Sequence, residues 1–543
     1  MVARLQCFSK AVAVVLGTFL MIDSDLEAQP RIGGSYRIYP SGTNQSECFL
    51  VVHPNDPDIL FASANTVDFT TGFISEGIYT STDGGQNWSG SDTCSGAPIN
   101  FHNGDPGIAI DANGTFIMTR LGFVPGLYSH YSTDLGQSWS GQYTIASNDQ
   151  ERAGVAADNQ TGSAHYGRTY ATWTRFAPPY PVLLAYTEDG RTWTTPVQVN
   201  NPDPSRRGLG GEIAIGPGGE VYLTWARLSE TSPYTEDKIG FAASSSGGQN
   251  WQISEHAIDI NGISGIFPEK ANIRVNGLPR IAVDTGNGPR RGWIYIVTTQ
   301  RNLLPAGTDP DIILYRSEDG GQSWSGGIRV NQDPLNNGSI QYFPVVQVDE
   351  RGGLNVLYYD DRNTTSDSSS VFLARSLDGG DTWQEYDIAG HHFQPQPIGG
   401  LGQGYQGDNI ALASSDGTLW PLWMDNSTGH YQLWTNPIAF SVLDIAGREE
   451  PAVPGLFSLV GNYPNPFNGQ TRITFSLPRT GEVSLAIYNV RGQQVFAKET
   501  GPLEAGDHEI GWNPGEGNLP SGVYLFRLGF GGQARAGKML YVK

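Results

Sequence analysis

Three cysteines in 543 residues are too few to staple a chain of this length, so a disulfide framework is excluded as its source of stability. Methionine is scarce, with five copies, and charged residues make up only 16%. Long solvent-facing helices would want more Lys, Glu, Ala and Leu, and no long stretch shows helical periodicity. Positive charge is also in short supply: 33 Lys and Arg stand against 54 Asp and Glu, a formal net charge of −21. Nucleic acid is therefore a poor partner, and so is an anionic membrane surface. The acidity suits solubility outside the cell. The chain has no phosphate-binding Gly-Lys-Ser loop, dinucleotide fingerprint or serine elbow. Beyond residue 28 no segment is apolar enough for long enough to cross a bilayer.

What is plentiful is glycine, with 70 copies, and proline, with 34. That mix predicts many short strands joined by tight turns, an all-β chain of at least two domains. Residues 1–28 read as a signal peptide: Arg4 and Lys10, an apolar run from Ala11 to Ile22, and a small residue, Ala28, at the cleavage point. Export would permit a disulfide between Cys48 and Cys94, with two separate small core residues as the alternative.

One motif recurs, Ser-x-Asp-x-Gly-x-x-Trp. Clear copies start at Ser81, Ser132, Ser317 and Ser376 and end at Trp88, Trp139, Trp324 and Trp383. Two are degraded: Tyr186 to Trp193, with Glu188 in the aspartate slot, and Ser244 to Trp251, with Ser246 there. Each reads as a self-stapled hairpin turn, its Asp accepting from backbone N–H groups, its Gly taking an angle that a Cβ opposes, and its Trp packing between sheets. Repetition marks these aspartates as structural rather than catalytic.

Before the boxes stand pairs of apolar strands joined by Gly turns, such as Ile108-Ala109-Ile110 with Phe116-Ile117-Met118, and Ile281-Ala282-Val283 with Ile294 to Val297. Seven such pairs but six boxes predict seven four-stranded blades, with the box joining the third strand to the fourth. The last blade then lacks a strand, which Gly34 to Tyr39 would supply, closing the ring. Six blades is the alternative. Residues 456–543 alternate apolar and polar positions between Gly and Pro turns, which predicts a small Ig-like β-sandwich. The expected organisation is a signal peptide (1–28), a propeller (31–443), a linker (444–455) and the sandwich (456–543).

The boxes resemble the Asp-box (BNR) repeats of sialidase-like β-propellers. That resemblance implies a secreted propeller acting on or binding extracellular glycans. It implies an arginine cluster for a substrate carboxylate, a tyrosine nucleophile and an aspartate acid. The opening Arg-Ile-Pro of sialidases is matched only by Arg31-Ile32-Gly33 and Arg37-Ile38-Tyr39. The tail resembles the C-terminal sorting domain of type IX secretion, through Asn462-Tyr463-Pro464-Asn465-Pro466-Phe467-Asn468, Ile487-Tyr488-Asn489, Trp512 and Ser521-Gly522-Val523-Tyr524. This implies the type IX machinery as a partner and a place in the medium or on the outer cell surface.

Chemistry is expected on the face holding the ends of the second strands and the starts of the first. The second strands end in two slots: Arg120, Trp173, Trp225, Thr298, Tyr359 and Trp423, then Gly122, Arg175, Arg227, Gln300, Asp361 and Asp425. The starts of the first strands add Glu47, Asp105, Glu151, Arg152, Arg280 and Asp408. The candidate catalytic residues are Asp105, Glu151, Tyr359, Asp361 and Asp408, with Tyr342 as a second tyrosine. Arg120, Arg152, Arg175, Arg227, Trp173 and Trp225 are the candidate ligand-binding residues. The alternatives are a non-catalytic glycan- or protein-binding surface and a solvated rim of ion pairs. No cofactor is expected; acidic clusters such as Asp309-Pro310-Asp311 could hold calcium but lack a calcium-loop pattern, and His391-His392 lacks metal-ligand spacing.

Overall fold

The computed structural model describes residues 30–68, 73–93, 104–203, 206–229, 231–232, 234–399, 404–440 and 458–543, apart from 466, 478, 490, 492, 516–518 and 531–532. The signal-peptide, Cys94 and linker readings lie outside those residues. Two compact units divide the chain, one spanning Gln29–Ser441 and the other including Val442–Lys543. The regular structure of the described residues is strand, apart from a single short 3-10 turn at Pro268–Lys270. None forms a helix long and apolar enough to cross a membrane.

The larger unit is a series of antiparallel sheets. Sheets I to VI have four strands each, hydrogen-bonded in chain order. Their first strands are Asn44–His53, Gly107–Ile110, Gln150–Ala157, Arg207–Ile215, Arg280–Val283 and Gln341–Val348. Sheet VII starts with Ala411–Ser415, Thr418–Asp425 and Gln432–Thr435, and its fourth position is taken by Tyr36–Arg37 from the other end of the unit. Tyr36 pairs with Thr435 and Arg37 with Trp434. The first strand of every sheet packs beside the first strand of the next, and that of sheet VII packs beside that of sheet I. The sheets therefore form a closed cycle, the arrangement of a β-propeller. Apolar clusters fill the seams, as where Phe61 and Ile78 of sheet I meet Ile108, Phe116 and Met118 of sheet II.

The repeated turns do join third strands to fourth. In the first, the Ser81 hydroxyl donates to Asp83 (3.0 Å) and accepts the Gly85 N–H (2.8 Å), Asp83 accepts the Asn87 N–H (2.9 Å), and the Trp88 indole donates to the Gly85 carbonyl (3.2 Å). Such bonds favour the ionised carboxylate and hold Asp134 and Asp319 down to about 2. The tryptophan then reaches a neighbouring sheet: Trp139 lies 5.6 Å, ring to ring, from Phe61. Ser246 does take the aspartate's place, accepting the Asn250 N–H at 2.8 Å. The reading of Glu188 in that slot is corrected. This turn is one residue shorter, so Thr187 and Asp189 staple it, Asp189 accepting from Arg191 (2.9 Å) and Thr192 (2.7 Å). Glu188 instead pairs with Arg168 at 2.7 Å.

The smaller unit has a three-stranded sheet (Ser458–Tyr463, Thr471–Leu477, Gly506–Trp512) and a four-stranded sheet (Gln494–Glu499, Val483–Asn489, Gly522–Phe530, Gln533–Tyr541). Both contribute to one apolar cluster that includes Phe475, Ile487, Trp512, Phe526 and Met539. Its sequence motifs are staples. The Asn465 side chain accepts the Leu540 N–H (2.8 Å) and donates to the Lys538 carbonyl (3.2 Å), while Asn489 accepts from Arg491 (2.9 Å) and Gln493 (3.1 Å).

Where sheet VII meets sheet I, contact is tightest at the first box turn. The Tyr36 hydroxyl donates to the Gly85 carbonyl at 2.5 Å. Gly85 has φ +73°, and a Cβ there would stand 2.3 Å from the Trp420 ring of sheet VII. Gly85→Ala is expected to destabilise the protein by about 2 kcal/mol or more, through overpacking and a left-handed backbone together. Gly141→Ala, where a Cβ meets nothing within 4 Å, should leave the unfolding midpoint in denaturant unchanged.

Candidate active site

At the starts of the first strands the backbone turns left-handed at a charged residue in three neighbouring sheets: Glu47 (φ 54°), Asp105 (φ 54°) and Arg152 (φ 39°). The equivalent turns of sheets IV and VI fall at Gly210 (φ 71°) and Phe343 (φ 52°). Ladder register slips at the turns of sheets I, III, IV and VI, as a bulge requires. A bulge re-aims a side chain, and a non-glycine residue in this conformation costs roughly 1–3 kcal/mol. Because the first strands line the cycle, the re-aimed groups converge.

The convergence is a charged cluster drawn from sheets I, II, III, IV, V and VII. Arg152 donates to Glu212 (2.7 Å) and to the Asn409 side chain (2.7 Å), and its other terminal nitrogen stands 3.9 Å from Asp408. Arg280 bonds the same two groups, Glu212 and Asn409. Asn276 donates to Asp408 at 2.6 Å. On the opposite flank the Asn65 amide donates to Glu47 (2.9 Å), and its carbonyl accepts the Asp105 N–H (2.8 Å). Tyr405 bonds Asn65 (3.0 Å), and Arg274 stacks 5.5 Å from the Tyr405 ring centroid.

These carboxyls are not ordinary. Burial, and then the charges of Asp408 and Asp105, push Glu47 well above the usual carboxylate range. Burial followed by the charge of Asp408 also raises Asp105, opposed by a hydrogen bond from Glu47. Burial, then Asp105 and Asp408, push Glu151 up to about 8. Burial raises Glu212 against the pull of Arg152. Burial opposes the charge of Arg152, but Glu212 and Asp408 hold it protonated. Glu151, Asp105 and Asp408 remain partly open to solvent, whereas Glu47 and Arg152 are buried. The arrangement presents a proton donor beside a negative charge, under guanidinium groups.

Of the residues expected from sequence, Asp105, Glu151, Arg152 and Asp408 come together. The remaining expectations are corrected. Trp173 and Trp225 are 0% exposed and are seam packing, not sugar platforms. Arg120 is fully buried and donates to His130 (3.1 Å) and Gln142 (2.6 Å). Tyr359 is sunk in the core, its hydroxyl donating to the Met424 carbonyl at 2.7 Å, and burial pushes that hydroxyl well above its ordinary range. Asp361 is bound by the wholly buried Lys270 at 2.8 Å and by the Ile340 N–H at 2.7 Å. Arg227 lies against His256 at 2.7 Å, outside the cluster, and Arg175 is half-buried at the end of its strand opposite Gln150. Tyr342 is buried with Ser369 at 3.0 Å.

Sequence reasoning missed Glu212, Asn409 and Arg274. Glu212 lies beyond a bulge, so counting from the strand start misplaces it. Arg274 sits on a hairpin (Gly265–Phe267 with Ile273–Val275) inserted between sheets IV and V, outside the repeat. Buried Glu236 grips the base of that hairpin through the Ser264 (3.1 Å) and Gly277 (2.9 Å) N–H groups, and Lys270 pins its tip to sheet VI. Among the described residues no group of His, Cys, Asp and Glu is arranged to hold a metal ion. Asp311 is taken up by Arg329 (2.6 Å), and His391 lies between Asp425 (2.9 Å) and the Ala389 carbonyl (3.0 Å). Cys48 is buried, its thiol donating to the Leu422 carbonyl at 3.3 Å.

Residues 462–542 match the secretion system C-terminal sorting domain. The chain thus carries the export signal of type IX secretion, which places it at the cell surface or outside. No curated protein matches it in sequence. Among solved structures it is similar to a polysaccharide lyase of family PL25, an ulvan lyase, at 11% identity and TM-score 0.46, over 75% of this chain and 95% of that one. It is similar to an α-L-arabinanase of Penicillium chrysogenum at 14% and 0.40, over 63% and 98%. An intramolecular trans-sialidase of Ruminococcus gnavus is similar at 12% and 0.39, over 66% and 98%. None of the three bears on the chemistry of the cluster.

Two outcomes are expected. Between pH 4.5, the ordinary value for Glu, and about 8, folded Glu151 keeps a proton that the unfolded chain has lost. Its contribution to stability therefore falls as pH rises through that window. Glu151→Gln should melt higher than wild type at pH 8 and together with it below pH 4.5. Lys270→Met should cost about 3–5 kcal/mol in denaturant unfolding, because it strands the Asp361 charge in the interior.

Proposed function

We propose that the protein is a secreted, sialidase-like, seven-bladed β-propeller of the Asp-box (BNR) kind that cleaves extracellular glycans as a glycoside hydrolase. In this reading residues 1–28 are a signal peptide, 31–443 the propeller, 444–455 a linker and 456–543 an Ig-like sandwich that engages the type IX machinery. The closed cycle of first strands supports the seven blades.

The observation that carries the catalytic reading is the convergence of Asp105, Glu151, Arg152 and Asp408, with Glu47 and Glu212, from separate sheets onto one site. Glu151, protonated at neutral pH and partly open to solvent, donates its proton to the glycosidic oxygen as the bond from that oxygen to the anomeric carbon breaks. The negative charge of Asp408 steadies the positive charge that grows on the sugar. Water then supplies hydroxide to the anomeric carbon and leaves its proton on Asp408. Arg152 and Arg280 hold the acids apart in role: both bond Glu212, and neither bonds Glu151, which keeps its raised value.

The test is reducing-end release by the full secreted chain from a panel of neutral, uronate-bearing and sulfated polysaccharides. Glu151→Gln should lose about 10²–10⁴-fold in kcat. For wild type, kcat/KM should hold steady up to pH about 8 and fall above it as the donor ionises. Asp361→Asn should lower stability and leave kcat near wild type. Product bearing an unsaturated uronate would replace hydrolysis by elimination. No turnover on any of these polymers would leave a glycan-binding surface in place of an enzyme.

A further inference from the structure

On the same face, an aromatic ladder stands at the seam of sheets III and IV. The start of a first strand and the end of the second share one end of a sheet, since Gln150 pairs with Arg175 and Arg207 with Leu228. Phe176 and Tyr180 follow the second strand of sheet III, Tyr234 follows that of sheet IV, and Arg207 opens the first strand of sheet IV. The Arg207 guanidinium lies against two tyrosine rings, 5.3 Å from the Tyr180 centroid and 4.4 Å from that of Tyr234. Phe176 meets Tyr180 edge-on at 5.8 Å.

Three features set this group apart from packing. Phe176 and Tyr234 are 44% and 37% exposed. Tyr180 (φ 57°) and Tyr234 (φ 60°) are both held in the left-handed region, costly for a bulky residue. Among the described residues the Arg207 side chain makes no hydrogen bond or ion pair, its contacts being with the two rings. Its neighbour Arg206, by contrast, pairs with Asp237 and Arg227 bonds His256. A guanidinium held against aromatic rings keeps its planar fork of N–H donors for a carboxylate or sulfate, and the rings beside it offer surface to a sugar.

We propose that Phe176, Tyr180, Arg207 and Tyr234 form a subsite for an anionic residue of a polysaccharide whose chain runs on to the carboxyl cluster. The strand that begins at Arg207 carries Glu212 five residues on, roughly 15 Å away at strand spacing, so one ligand reaching both is an oligomer. The assignment deepens the reading of the cluster as a glycan-cleaving site and rests on it for the direction of the chain, though binding at the ladder is measured separately.

The test uses the full chain with Glu151→Gln to suppress turnover, and affinity electrophoresis in gels containing polygalacturonate, dextran sulfate or neutral dextran. At least one anionic polymer should retard the protein and dextran should not. Tyr234→Ala and Arg207→Gln, each with an unchanged unfolding midpoint, should each weaken that binding roughly tenfold, the loss of one stacked or charge-assisted contact. Unchanged binding in both variants overturns the subsite, as does equal retardation by dextran or none by either anionic polymer. If the ladder variants lose binding while wild type cleaves nothing, the subsite stands and the enzymatic reading falls. If wild type cleaves an anionic polymer and the ladder variants keep its KM, the enzymatic reading stands and the subsite falls.

Discussion

Closure of the cycle is the constraint on which the larger unit depends. An open series of twisted sheets would leave the last third strand, Gln432–Thr435, with unpaired backbone groups and the first sheet with one apolar face bare. Tyr36–Arg37 removes both defects by crossing to the far end of the unit and completing sheet VII. The Tyr36 hydroxyl on the Gly85 carbonyl and Trp420 against the same turn fasten that seam. Once closed, the first strands share one central lining, and seven separate stretches of chain deliver their starts to it.

That lining is where the protein spends stability. Glu47, Asp105, Glu151 and Glu212 are brought together with Asp408, and burial raises the first four above the usual carboxylate range. The cluster persists because Arg152 and Arg280 offset part of the charge, Asn65, Asn276 and Asn409 supply polar contacts, and a proton neutralises Glu151 below about pH 8. Three residues of the lining also hold left-handed backbone that their side chains disfavour. Strain and unfavourable burial thus gather in one place, within a frame of well-filled seams.

The two ends of the sheets have different work. Ser81 pairs with Leu60 near the beginning of its second strand, whereas Asn44 pairs with Val67 near the end. The stapled turns therefore lie at the end opposite the cluster and carry architecture alone. The parts that depart from the repeat lie at the other end: the inserted hairpin with Arg274 and Lys270, the Tyr180–Arg207–Tyr234 stack, and the segment bearing Tyr405 and Asp408. A rigid repeat lets these irregular segments be held to a fixed geometry without contributing to the fold's periodicity.

Much of this was legible in the residues, because short-range rules govern it. Alternating apolar strands, the Ser-x-Asp turns and the missing partner of the last sheet follow from local pairing and composition. They yielded the all-β class, the repeated four-strand unit and the closing role of Gly34 to Tyr39, and the Asn-Pro-Phe run marked the sorting domain. The starts of the first strands also brought Asp105, Glu151, Arg152 and Asp408 to one face before any coordinates. What only the tertiary structure decided was depth and partnership. Trp173, Trp225, Arg120 and Tyr359 share the slots of plausible ligand residues, but the seams between sheets bury them. Asp361 is buried and bound by a lysine 91 positions away, whereas Asp408 stays partly open to solvent. Bulges moved Glu212 out of the counted register, and the insertion carrying Arg274 obeys no repeat. Protonation and burial arise from groups far apart in the chain, so no local pattern encodes them.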